Sequence, residues 1–503
     1  MALSCLLRAN PIMSLTRLAS ALFVLVAVRI AAAPFATATQ ESGVVEAMAR
    51  HYEAHPDWWL SGVNLVDLDG DGKLDLFLAA HGAGVPLALL GDGKGHFVDA
   101  AGSYPQTEIH LAADINEDGK VDLQMTFQDG GAKWWINEST PGVLKFRDSG
   151  ITAGQGRCNA LIDLNRDGNV DWLHERPGVV WEFGDGKGSF KAAGNFDIAQ
   201  TRNEFNIHPA DLNGDGFVDL AVHWGRYDLK EGRSRIYLND GKIDFRDATG
   251  DCGLAEDRLT IKGIGDVNQD GALDLIALDG KAPAIYLNDG RGHFAKKPDS
   301  ISEIQSASKP NYTSWGLAVV SDFDNDGIAD IIWNGRNFLW LLRGVGDGKF
   351  VYANKEWGIE DKSASSVDDG LCFGDIDGDG DLDIIGYTGP LEGKRMLNVY
   401  RNDAPAQNWL RVRPIGAAGN RGAAGAKISI SESGTGKLLW FEQVQILDSQ
   451  SAHSYYSLAQ TERHFGLGQR RDVDVSVEFY PSNKRVTEKN VKPNSTLVAE
   501  EPK

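Results

Sequence analysis

The chain has 503 residues, 42% hydrophobic and 24% charged, which is enough for two or three domains that each bury a core. Its formal net charge of −21 repels nucleic acid and anionic membrane and so argues against both as main partners, while it favours bound cations.

Residues 1–38 read as an export signal. Arg8 and Arg17 precede the apolar run from Ala21 to Val28, and Ala36-Thr37-Ala38 offers small residues for cleavage. A run of about ten residues broken by Arg29 is shorter than the ~20 needed to cross a bilayer. No membrane span is therefore expected, and the product is read as secreted or periplasmic, with Met13 as an alternative start. Cys158, Cys252 and Cys372 follow, an odd number for an oxidising compartment. Cys158 and Cys372 read as buried strand residues, with one bridge and a free thiol as the alternative.

An Asp-rich segment then recurs seven times, with starts 47 to 56 residues apart. Its first, third, fifth and ninth positions are Asp67, Asp69, Asp71 and Asp75 in loop 1, and Asp114, Asn116, Asp118 and Asp122 in loop 2. Loop 3 has Asp163, Asn165, Asp167 and Asp171; loop 4 has Asp211, Asn213, Asp215 and Asp219; loop 5 has Asp266, Asn268, Asp270 and Asp274. Loop 6 has Asp322, Asp324, Asp326 and Asp330, and loop 7 has Asp375, Asp377, Asp379 and Asp383. Gly stands sixth in every copy, and position seven can offer its carbonyl. A hard cation collects six to eight oxygens, and Gly allows the turn that aims them inward, so each loop is a candidate Ca2+ site, up to seven in all. Four carboxylates in nine residues repel one another unless a cation sits among them.

The flanks are not those of a helix-loop-helix site. Position twelve is Leu78, Met125, His174, Val222, Ala277, Trp333 or Gly386, where such a site needs Glu. Runs such as Ile331-Ile332-Trp333 read as strand. A Gly-rich turn ending on Phe follows several loops, as in Gly91-Asp92-Gly93-Lys94-Gly95-His96-Phe97 and Tyr286 to Phe294. No helix follows it, so it reads as a turn between strands and not as a phosphate cradle. Four short strands per unit, seven times over, predict an all-β fold: a seven-bladed β-propeller over 39–404, followed by a small β-rich domain over 405–503.

The Asp-rich loops from about Asn64 to Asn402 resemble FG-GAP/VCBS repeats, and that resemblance implies a calcium-binding propeller. Past Ala404 the repeat stops, and Asn408–Arg413, Ala426–Ile430, Leu438–Ile446 and Val473–Phe479 alternate as strands. Asn408-Trp409-Leu410, Asn420-Arg421, Gly425-Ala426 and His464-Phe465-Gly466-Leu467-Gly468 resemble the ASPIC/UnbV domain. The chain departs from that family at Ala423, where Gly is usual, and at Tyr480-Pro481-Ser482-Asn483, where Trp-Pro-Ser-Gly is usual. His464, beside a strand Phe, reads as a structural residue.

Two strands separate the Asp loop from the Gly-rich turn, so both lie at one end of the blade. The other end collects His174, Arg176, His223, Trp224, Arg226, Tyr227, Trp315 and Arg336, a possible ligand face for an extracellular protein or acidic glycan. No nucleophile elbow, HExxH or phosphate loop is present. The expectation is therefore a secreted calcium-binding protein acting in extracellular binding or adhesion. The alternative is a lyase or hydrolase of an acidic glycan using His174, His223, Arg226 and Tyr227. The sequons at Asn137, Asn311 and Asn494 are glycosylation candidates in a eukaryotic host.

Overall fold

The computed structural model describes residues 33–80, 84–104, 108–126, 132–153, 159–176, 178–196, 205–224, 233–254, 259–280, 282–304, 317–335, 338–359, 371–391, 394–404, 407–447 and 462–503. Nearly all their regular structure is strand, and no helix is long and apolar enough to cross a membrane.

Each Asp-rich loop joins the first two strands of a small antiparallel sheet. In blade 1, Leu60–Val66 enters the loop, Asp75–Ala80 leaves it, and Leu87–Gly91 and Phe97–Asp99 complete the sheet in that order. Every residue of Asp75–Ala80 is buried, as befits a strand covered on both faces by neighbouring blades. Blades 4, 5 and 6 repeat the order, led by Phe205–Ala210, Leu259–Gly265 and Ala318–Ser321.

The ring is visible in the contacts of these leading strands. Those of blades 1 to 6 touch in sequence, and the leading strand of blade 7, Leu371–Gly374, meets that of blade 1. Blades 6 and 7 share a core of Phe323, Ile332, Leu341, Ile384 and Tyr400. Blades 1 and 7 share Leu65, Leu76, Cys372, Ile385 and Val399. The fold is an all-β propeller, as expected.

Its closure was not expected. The outermost strand of blade 7 is Phe35–Thr37, paired antiparallel with Lys394–Asn402. Phe35 is buried and its ring lies 6.0 Å from that of Trp357. Cleavage after Ala38, the expected end of the signal, would remove this strand from blade 7. The rest of the expected signal, 1–32, lies outside the described residues. The helix Val44–Ala54 was also unforeseen; Val44, Ala47, Met48 and Tyr52, one helical face, pack into the core between blades 1 and 7.

The C-terminal domain has two sheets. One orders Arg463–Gly468, Asn408–Ile415 and Ser495–Glu500; the other orders Leu438–Gln443, Lys427–Glu432, Val473–Glu478 and Arg485–Val491. Leu410, Val412, Ile428, Ile430, Phe465, Val475 and Phe479 form the core between them. Both departures from the family pattern sit at left-handed backbone, Ala423 at φ 51° and Asn483 at φ 56°, where Gly would carry no strain.

Cys252 and Cys372 are buried and unbridged, in different blade interfaces. Cys158 lies outside the described residues.

Candidate metal loops and the domain docked on them

The ninth-position carboxylate clamps each loop. One oxygen accepts the second-position N–H, from Leu68, Ile115, Leu164, Leu212, Val267, Phe323 or Ile376, at 2.7–3.2 Å. The other accepts a third-strand N–H, from Gly91, Asn137, Gly184, Asn239, Asn288, Gly344 or Asn402, at 2.7–3.0 Å. The first-position Asp accepts the N–H of the sixth-position Gly in every copy. Seven turns thus share one hydrogen-bond plan, which accounts for the Asp and Gly spacing.

Burial, the largest cause, pushes Asp75, Asp122, Asp171 and Asp219 up to about 7 and Asp274 up to about 8, despite those backbone donors. Burial and then the neighbouring carboxylates hold Asp322 well above the usual range. Without a counter-charge these loops cannot carry all their carboxylates ionised. Carboxylate oxygens of Asp67, Asp69 and Asp71, of Asp322, Asp324 and Asp330, and of Asp375, Asp377 and Asp383 gather within 4.8 Å. In loops 2 to 5 a neutral Asn holds position three, and three acidic groups do not gather so closely. In loop 5 the Asn268 Oδ1 is buried without a hydrogen-bond partner, while its Nδ2 donates to Asp270 at 2.7 Å. An all-oxygen set with an unsatisfied amide oxygen at a ligand position fits a hard cation such as Ca2+.

Two features at this end of the ring had not been foreseen. Asn137, Asn288 and Asn402 stitch blades together: each Nδ2 donates to the eighth-position carbonyl of its own loop and to the second-position carbonyl of the preceding loop, at 2.6–3.2 Å. Asn137 is therefore buried and committed, which removes it as a glycosylation candidate. Asn311 lies outside the described residues.

The C-terminal domain also docks on this end, through the fourth loop position, which is left-handed in all seven copies. Loops 1, 4 and 7 place Gly there. Loops 2, 3, 5 and 6 place Glu117, Arg166, Gln269 and Asn325 at φ 57–62°, and each of these reaches the C-terminal domain. Glu117 accepts the Gly419 N–H. Arg166 donates to the Pro481 carbonyl at 2.9 Å, and Gln269 to that of Leu439. Asn325 pairs its Oδ1 with His464 Nε2 at 2.7 Å and accepts the Gly468 N–H at 2.8 Å. The backbone is strained where a side chain is needed for docking. Gly466 packs so tightly on loop 6 that a Cβ would collide with the Asp322 carboxylate. Ile446–Leu447 adds a short strand to the inner edge of blade 3. A cavity of about 80 Å³ remains between the leading strands of blades 4 to 6 and this domain, lined by His208, Ser321, Glu442, Arg463 and His464 among others.

The opposite end corrects part of the expected ligand face. His174 and His223 are not surface residues but buried strand residues, at 0% and 2% exposure. His174 Nε2 lies 3.2 Å from Glu182, and His223 Nδ1 lies 3.1 Å from the Ser234 hydroxyl. Neither imidazole opens on the surface where the ligand face was expected. The side chains of Arg176 and Trp224, and all of Arg226, Tyr227, Trp315 and Arg336, lie outside the described residues.

Comparison with known proteins agrees with this geometry. FG-GAP-like repeats match at 67–123, 266–333 and 322–386, and the ASPIC and UnbV model matches 416–503. Cartilage acidic protein 1 of Xenopus tropicalis is 23% identical over 505 residues, covering 88% of this chain and 73% of that protein. The mouse protein is 28% identical over 274 residues, 52% of this chain; the matched part spans only 40% of the mouse protein. A lectin of Agrocybe aegerita that recognises terminal N-acetylglucosamine superposes with a TM-score of 0.42 at 16% identity, covering 80% of this chain and 98% of that one, a likeness too low to argue from. The chain is a protein of FG-GAP-like repeats with a C-terminal ASPIC and UnbV domain, homologous to cartilage acidic protein 1.

Proposed function

We propose that the chain is an exported binding protein whose propeller is held rigid by Ca2+ in its Asp-rich loops. The observation that carries this reading is the repetition of one buried, all-oxygen donor set around the ring, with carboxylates that need a counter-charge to ionise. A role repeated in every blade is structural, so partner recognition falls to other surfaces, in extracellular binding or adhesion. The buried state of His174 and His223 weighs against glycan cleavage. Calcium would supply charge neutralisation and cross-linking of each loop, with the first, third, fifth and ninth side chains and the seventh carbonyl as its holders.

The test is thermal unfolding of the full chain with calcium and with a chelator. Since a ligand bound only to the folded state stabilises it, chelation should lower the midpoint by about 10 °C or more. An unchanged midpoint, with no metal in the purified protein, overturns the reading.

A further inference from the structure

Loop 4 differs from the other six in what surrounds its carboxylates. Lys427, on the C-terminal strand Lys427–Glu432, places its Nζ 2.6 Å from Oδ2 of Asp211, the first-position ligand, whose side chain is only 3% exposed. The Asp211 N–H is held by Gln443 of the same domain at 3.0 Å. A second cation arrives from loop 3: Arg166 donates to the sixth-position carbonyl of loop 4, Gly216, at 3.2 Å and lies over the Phe217 ring at 5.0 Å. Loop 4 carries three carboxylates, Asp211, Asp215 and Asp219, and two fixed cations sit against it.

The nearest rivals differ. Arg411 pairs with Asp375 in loop 7 but also faces Glu462 at 3.7 Å, and loop 7 has a fifth carboxylate, Asp381, at position seven. Lys73 pairs with Asp71 in loop 1 from within the same loop, its side chain 44% exposed. Loop 7 also faces Arg401, 3.9 Å from Asp377, so its cations are set against five carboxylates, whereas loop 4 has three. Among the described residues, loop 4 is the one three-carboxylate loop whose first-position Asp is paired with a cation from another part of the chain.

We propose that loop 4 is a weakened metal site whose counter-charge comes from within the chain, from Lys427 with Arg166 beside it, while the other loops take calcium. This rests on the calcium reading above. The tethered cations exchange a metal ligand for a bond to the C-terminal domain, which makes loop 4 an attachment point.

The test counts calcium per full-length chain at a free concentration that fills only tight sites, by elemental analysis. Lys427→Met, which keeps the apolar stem and removes the charge, should gain about one calcium per chain and tighten that site about tenfold; Lys427→Arg should match the parent. If Lys427→Met fails to fold, a second pair decides. Asp114→Asn in loop 2 should lose about one tight calcium, and Asp211→Asn in loop 4 should lose none. Equal counts for parent and Lys427→Met, or equal losses for the two Asn variants, overturn the proposal. A parent chain that binds no calcium overturns instead the reading on which it rests.

Discussion

The ring and the docked C-terminal domain are held by opposite uses of one repeat. Blade contacts rely on what the seven loops share, the ninth-position clamp and the sixth-position Gly, with stitching Asn residues added in three blades. Docking relies on where they differ: the four loops with a side chain at position four reach across to the second domain with it, while loops 4 and 7, with Gly there, are met at their first-position Asp by Lys427 and Arg411. A repeat can therefore carry two kinds of information, with its invariant positions building the scaffold and its variable position addressing a particular neighbour.

Perturbing the ring should cost more than perturbing the dock. The largest effect is expected from a chain beginning at Thr39, which loses the outer strand of blade 7 and the buried Phe35: about 3–5 kcal/mol by denaturant unfolding. A melt unchanged from a chain beginning at Ala33 would show that closure does not depend on this strand. Asp274→Ala, which orphans the N–H groups of Val267 and Asn288, should cost about 3 kcal/mol, seen as a lowered unfolding midpoint.

The boundary between the regions is sensitive to acid through His208. Burial first, and then the Lys262 cation, holds this imidazole down to about 4 against an ordinary 6.5. Because the unfolded chain takes up the proton first, stability from this group is intact above pH 6.5 and is lost as pH falls toward 4. Relative to the parent, His208→Gln should gain on the order of 2–3 kcal/mol between those limits. Parallel pH profiles for the two chains would remove His208 from the account.

The smallest effect belongs to the dock. Asn325→Gly relieves left-handed backbone but loses the bond to His464 and the one to Asp381 of loop 7, so it should cost about 1 kcal/mol. That loss should appear as faster amide exchange in Arg463–Gly468 than in blades 1 to 5. Equal exchange in both regions would blur the distinction between ring and dock.

The ring was legible in the sequence because period, ligand spacing and Gly placement all reflect one local hydrogen-bond plan. His174 shows how far that reading reaches. At position twelve it aligns with Leu78, Met125 and Val222, all buried, so the repeat itself marked it as an interior residue despite its chemistry. Phe35-Ala36-Thr37 was not legible, since three residues carry no periodicity and their partner lies at the far end of the ring. Glu117, Arg166, Gln269 and Asn325 stand at a position to which the ligand spacing assigns no role. Their role depends on a left-handed φ and on a second domain, and neither is encoded locally.

The closing strand also sets a timetable. Thr39 bonds to Val399 across a separation of 360 residues, so a chain delivered N-terminus first holds one edge of its last blade unpaired until almost the whole ring has followed. Contacts so distant in sequence form slowly. The propeller is thus built as an open arc that can only lock once its first and last strands are present together, which makes arrival of Lys394–Asn402 the event that commits the ring.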